Sequence, residues 1–284
     1  LGLAALGAGC RPAEPAPVRV VIAVIDGVRL DESFAPWESS LTGEPARDLL
    51  PRVWAELAPE GTVVLPTYNM GTTITAQGHA SMFTGARQQL ANFSVDNGPG
   101  LYRPARPTLG EELRRQTQTT QPESLILANA DLIWPLEWSM MPGYGRDLAS
   151  EWFFVSIAPG SDQPAPDDIQ AVVALDLEID DLQPRLALAN FKEVDRKGHY
   201  GEELGEYVQA VEDLDEPIME LWEKLQADTL YGDRTILVIT SDHGRHRIED
   251  DAGFGEDYWR NHGNSSAGDR EVPLMILGPG VRKG

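Results

Sequence analysis

Short apolar runs rich in Val, Ile and Leu recur along the chain, at Val18–Ile25, Gly61–Leu65, Ser124–Ala128, Arg185–Asn190, Ile236–Thr240 and Val272–Leu277. Strands with one face in water alternate apolar and polar side chains, so runs without alternation predict strands buried on both faces. Between them, helical spacing spans Leu49–Leu57, Ala76–Phe83 with Gly85 as its C-cap, Thr108–Arg115, Asp167–Ile179 and Glu202–Gln226. Buried strands alternating with helices predict an α/β fold with a mostly parallel sheet sandwiched between helical layers. From Asn92 to about Ser161 the periodicity is weaker, and Trp134, Trp138, Trp152 and Phe153 fall among several Pro and Gly residues. A loop-rich, cap-like insertion over about 92–161 is expected there, with those aromatics able to roof a site.

Several of the runs end in groups that can carry chemistry. Ile236–Thr240 stops at Ser241-Asp242-His243-Gly244, and Val18–Ile25 stops at Asp26-Gly27. Ligands of open α/β sheets bind beyond the carboxyl ends of the strands, so these side chains stand at the expected rim. A polar pair after one strand reads equally well as a helix cap with a surface histidine. The pattern gains weight by repetition: Arg185–Asn190 leads to Asp195 and His199, whose spacing suits convergence on one cation, and Asn261-His262-Gly263 precedes the last apolar run. Thr75 opens the Ala76–Phe83 helix, where free N–H groups favour an anion, or where it simply caps the helix. Of the other two histidines, His79 is expected in a supporting or helix-packing role and His246 in solvent.

Composition narrows the class. The chain has 284 residues, 42% of them hydrophobic, which allows one large α/β domain or two small ones. Its formal charge of −22 comes from 45 acidic and 23 basic residues, and no Lys/Arg cluster exists to neutralise a nucleic-acid backbone, so no nucleic acid binding is expected. The opening Leu1–Cys10 is too short and glycine-rich for a membrane span. It resembles a bacterial lipobox, although Gly7 stands where leucine is usual. That resemblance implies lipidation at Cys10, a Pro-rich tether to Pro17 and an extracytoplasmic, membrane-anchored protein. Cys10 is the single cysteine, which leaves no internal disulfide and no cysteine nucleophile.

Taken in order, strand-Asp26-Gly, Thr75 followed by Gly-His and a closing Thr-Gly, Asp195-x-x-Gly-His199, Ser-Asp242-His243-Gly and the late His262-Gly resemble the active-site set of the alkaline phosphatase superfamily over residues 18 to 280. Nucleotide pyrophosphatase/phosphodiesterases and threonine-nucleophile phosphatases are the members most similar. The resemblance implies a single metallohydrolase domain over 18–284, with a further helix expected after the Leu277 strand. It also implies two divalent ions, usually zinc, one on Asp26, Asp242 and His243 and the other on Asp195, His199 and His262. Thr75 would be the nucleophile, forming a phosphothreonine intermediate, and Asn92 is the nearest match to an asparagine that contacts a phosphoryl oxygen. Sulfatases share the fold but need Cys/Ser-x-Pro-x-Arg, which Thr75-Ala-Gln-Gly-His lacks. Phosphoglycerate mutases of this type use serine and manganese. No Lys-x-Arg pair of the monoesterase kind lies between Asn129 and Asp147. Diesters or nucleotides are therefore expected as substrates at least as readily as simple monoesters; a silent scaffold lipoprotein on the same fold is the alternative.

Overall fold

The computed structural model describes residues 18–90, 103–129, 131–155, 168–247 and 255–283. Its strands are β1 (Arg19–Ile25), β2 (Gly61–Val63), β3 (Thr67–Tyr68), β4 (Ser124–Ala128), β5 (Glu151–Phe154), β6 (Leu186–Phe191), β7 (Thr235–Thr240), β8 (Glu271–Val272) and β9 (Leu274–Leu277). Its α-helices are α1 (Ala46–Leu49), α2 (Thr75–Thr84), α3 (Leu109–Thr117), α4 (Asp168–Leu182), α5 (Glu193–Tyr200), α6 (Leu204–Glu212), α7 (Asp215–Ala227) and α8 (Ala267–Arg270). Seven strands form one sheet in the order β2-β9-β7-β1-β6-β4-β5, and β3 pairs with β8 separately. The five strands from β7 to β5 run parallel, while β9 is antiparallel to both β7 and β2.

The lack of alternation in the strands has its explanation in the two cores. Val21, Ala23 and Ile25 of β1 pack with residues of α1, α4, α6 and α7 on one face. Ile22 and Val24 pack with Ala76, Ala80 and Phe83 of α2 and with Ile133 and Leu136 on the other. Both sets of side chains leave water, so every position of the strand after Arg19 is apolar. The layers expected from the sequence are present. At the end of α2, Gly85 adopts φ +65°, the left-handed C-cap conformation that a side chain resists.

Four elements differ from expectation. The Leu49–Leu57 helix begins at Ala46, and beyond Pro51 it continues as a wider turn over Val53–Leu57. The Glu202–Gln226 helix is two helices, because Asp213 and Leu214 end α6 and Asp215 then directs its carboxylate to the amides of Arg52 and Val53, each at 2.9 Å. Pro273, which has no N–H to give a ladder, divides Val272–Leu277 into β8 and β9. The segment expected as a cap contributes α3, β4 and the edge strand β5 to the main body. β5 escaped notice because its Trp152 and Phe153 read as isolated aromatics in a Pro- and Gly-rich stretch.

Candidate active site and metal centre

β1 and β7 are parallel neighbours, with Val24 opposite Thr240, so the residues just past their ends emerge side by side. Asp26, Asp242 and His243 meet there, all buried, with His243 Nε2 3.4 Å from Asp26 Oδ1 and 3.3 Å from Asp242 Oδ2. Gly27 makes this approach possible. It adopts φ +68°, its amide reaches Asp242 Oδ1 at 3.3 Å, and a Cβ on it would stand 2.6 Å from Asp195 Oδ1.

β6, on the other side of β1, leads into α5. Asp195 and His199 stand one helical turn apart and therefore share a face. The convergence expected from their spacing is reached on a helix. Asp195 Oδ2 is 3.6 Å from His199 Nε2, and His262 brings its Nε2 to 2.9 Å from His199 Nε2 and 3.5 Å from Asp195 Oδ1. The rings of His262 and His243 stack with centroids 3.8 Å apart, so the two triplets adjoin. Each triplet offers three ligand atoms within 4.8 Å of one another.

The donor sets fit divalent metal on three further grounds. His243 Nδ1 is 3.0 Å from the Gly244 carbonyl and His262 Nδ1 is 2.8 Å from the Thr73 carbonyl. A carbonyl only accepts, so each Nδ1 carries the proton and each Nε2 directs a lone pair at its triplet, as metal-ligating histidines do. Secondly, His243 Nε2 and Asp242 Oδ2 are buried without a well-formed hydrogen bond. Thirdly, the electrostatics favour a cation. Burial, then the carboxylates of Asp242 and Asp195, push the Asp26 carboxyl well above its usual range. Burial also holds the His262 imidazole well below its ordinary value, with His243 adding to the effect, and lowers His199 as well, so both rings stay neutral donors. Mixed carboxylate and imidazole ligands are among those that zinc and other divalent transition metals take.

Thr75 is the first residue of α2, and the cap position belongs to Ile74, which makes no side-chain cap bond. The Thr75 hydroxyl is therefore not used as a cap. Oγ1 lies 3.5 Å from Asp26 Oδ1, beside the first triplet and the free amides of the first helical turn. Below it, His79 is wholly buried, with Nδ1 2.8 Å from the Thr75 carbonyl and 3.2 Å from Asp242 Oδ2, and Nε2 2.8 Å from Asn190 Oδ1. Asn190 Nδ2 donates to Asp26 Oδ2 at 3.4 Å, and Asn69 Nδ2 donates to the Asp242 carbonyl at 2.5 Å. The supporting place expected of His79 is the one it takes.

His246 is a correction. It is buried, not solvated, with Nδ1 2.5 Å from Asp269 Oδ1, because β7 carries its loop inward against the chain around Asn264 and α8. Trp134 and Trp138 also differ from expectation: Arg103 lies over both rings, at 4.5 and 3.8 Å from their centroids, so one face of each is already taken. Asn92 and Cys10 lie outside the described residues. Sequence reasoning missed Arg245, a fully buried cation on Asp195, and the Asn190 and Asn69 supports. One signal was available: Gly198, in the middle of a helix, leaves room that alanine would fill.

A family model for type I phosphodiesterase / nucleotide pyrophosphatase matches residues 112–283, more than half of the chain. The chain belongs to that family. Its fold is that of the alkaline phosphatase superfamily, as solved structures show. A protein in that superfamily from Vibrio parahaemolyticus is 17% identical with a TM-score of 0.62, over 94% of this chain and 62% of that one. The zinc complex of the C-terminal periplasmic domain of EcEptC from Escherichia coli is 13% identical with a TM-score of 0.58, over 94% and 74%. Murine ectonucleotide pyrophosphatase / phosphodiesterase 5 is 14% identical with a TM-score of 0.60, over 93% and 89%. The chain thus spans less than two thirds of the length of the Vibrio protein. No curated protein matches it significantly by sequence. Among the described residues no helix is long and apolar enough to cross a membrane.

Proposed function

We propose that this chain hydrolyses phosphate esters through a phosphothreonine intermediate on Thr75. The observation that carries the reading is the Thr75 hydroxyl, free of any capping role, beside two adjoining carboxylate-imidazole triplets. Asp26, Asp242 and His243 would hold one divalent ion and Asp195, His199 and His262 the other, zinc by donor type, and such ions supply Lewis-acid stabilisation of the charge on attacking and leaving oxygens. Thr75 Oγ1 loses its proton to water and forms the bond to phosphorus as the ester oxygen leaves with the electrons of its own P–O bond and takes up a proton from water. Water then attacks the same phosphorus, releasing a phosphate monoester when the substrate is a diester, or phosphate when it is a monoester, and returning a proton to the Thr75 oxygen to restore the hydroxyl. The first-turn amides of α2 stand where the phosphoryl oxygens would lie, and Asn92 is proposed as a further contact.

The substrate class belongs to the same proposal: a small-molecule diester or nucleotide, in keeping with the family. A monoester dianion needs a further cation. Arg87 is exposed past the far end of α2, exposed Arg146 lies 5.8 Å from the Trp138 ring, and Arg245 is sequestered on Asp195. An extracytoplasmic location with a lipid anchor at Cys10 rests on the lipobox-like opening. The deciding experiment compares zinc-loaded protein on p-nitrophenyl phosphate, bis-p-nitrophenyl phosphate and p-nitrophenyl sulfate. Turnover of the diester at least matching the monoester is expected. A hundredfold preference for the monoester overturns the diester reading, and turnover of sulfate alone overturns the phosphate-ester reading.

A further inference from the structure

Arg245 has no place in the chemistry above, yet it is among the largest side chains wholly withdrawn from solvent. It follows Asp242-His243-Gly244, so its backbone belongs to the loop of the first triplet, while its guanidinium crosses to the second. Nη2 donates to Asp195 Oδ1 and, at 2.7 Å, to the Asp195 carbonyl. Nη1 donates at 2.9 Å to the Arg260 carbonyl and at 3.4 Å to that of Trp259. One rigid fork therefore joins α5, which supplies Asp195 and His199, to the backbone just before His262. The passage exists because Gly198 has no side chain: a Cβ there would lie 2.2 Å from Arg245 Cζ. Tyr207 lies beneath, with its ring centroid 5.8 Å from Cζ.

We infer that Arg245 is the positioning residue of the second metal triplet, the cross-link that holds Asp195, His199 and His262 at ligating distance. This rests on the metal-centre reading proposed above. The first triplet needs no such device, because its ligands leave two hydrogen-bonded neighbouring strands and are braced by His79, Asn190 and Asn69. The second draws on a helix and on a loop more than sixty residues away, which no sheet ladder aligns. A fixed cation beside a metal ligand also repels an incoming ion. Positioning outweighs that repulsion here, because four oxygen atoms from two segments lose their donor if the fork is removed.

The test is zinc titration of metal-free protein against a competing chelator, with bound zinc counted by elemental analysis. R245M is expected to weaken one of the two sites by about 10–100-fold, the range seen when supporting residues of metal ligands are lost, and to leave the other unchanged. H199A should abolish the same site. R245K keeps the charge without the fork and is expected to resemble R245M. G198A reaches the fork from α5 with Arg245 intact, so the test survives if R245M fails to fold, and it too should weaken that site alone. Equal weakening of both sites, no weakening, or tighter binding in R245M overturns the role, as does wild-type behaviour of R245K. A wild-type chain that binds no zinc overturns the metal centre itself, a result distinct from all of these.

Discussion

At Thr75 the oxygen has one of two uses, and substitution separates them. A lost cap would cost about 1 kcal/mol and leave turnover nearly intact. With the cap position at Ile74, Thr75→Ala is expected instead to lower kcat by roughly three orders of magnitude or more, while zinc content is kept, since six other side chains would supply the proposed ligands. Thr75→Ser retains a hydroxyl and part of the rate. Glu32 offers a second prediction, unrelated to the triplets. It is buried against Arg29, with Ser39 Oγ donating to it, and burial pushes its carboxyl from 4.5 up to about 7 despite the attraction of Arg29. The folded chain therefore holds a proton that the unfolded chain releases. The stability this contributes is complete below pH 4.5 and is lost as pH rises through about 7. Urea denaturation of wild type and Glu32→Gln at pH 5 and pH 8 should show the wild type losing more, by a few kcal/mol at most.

Among the elements, α2 depends on one missing side chain. A Cβ on Gly78 would stand 2.6 Å from the Asp242 carbonyl oxygen, a backbone atom that cannot turn aside. Alanine is the better helix former by about 1 kcal/mol, but overpacking costs about 1–3 kcal/mol, so Gly78→Ala is expected to destabilise slightly. Its larger effect is on rate. It lifts the helix that carries Thr75, and about 1 Å of displacement is enough for a hundredfold loss in kcat. Strand burial and helix periodicity were legible in the sequence because β1, β4 and β6 have apolar side chains on both faces and α2 ends at a left-handed glycine. Less legible were features set by distant contacts: the α6–α7 break depends on Asp215 reaching Arg52 and Val53, and β5 depends on pairing with β4. The six candidate ligand positions stood out because carboxylates and imidazoles follow β1, β6 and β7 and a His-Gly pair precedes the last apolar run. Arg245 did not, since nothing local distinguishes an arginine that crosses to another loop from one in solvent, and His246 was misjudged for the same reason.

For the whole molecule, the six proposed ligands tie together residues from 26 to 262, so metal binding and folding are linked. Zinc at a hundred times its dissociation constant should add about 2.7 kcal/mol to stability, or roughly 5–10 °C in Tm for a chain of this size. Differential scanning calorimetry with and without chelator measures the difference, and unchanged Tm would count against a metal centre. The net charge of −22 acts over the same scale, favouring cation uptake by the fold and opposing adhesion to nucleic acid.

The place of β9 has a consequence for how the protein is made. Made after both of its neighbours, it must enter between β2 and β7, strands that leave the ribosome before it. Until then β2 lacks its partner and β7 shows an open edge, the kind of surface on which incomplete chains join one another. The first triplet is complete once His243 has emerged, but the second waits for His262 and the sheet waits for Leu277. A nascent chain able to capture one ion is therefore still a chain with an unfinished sheet, and the interval between those two events is when it most needs a chaperone.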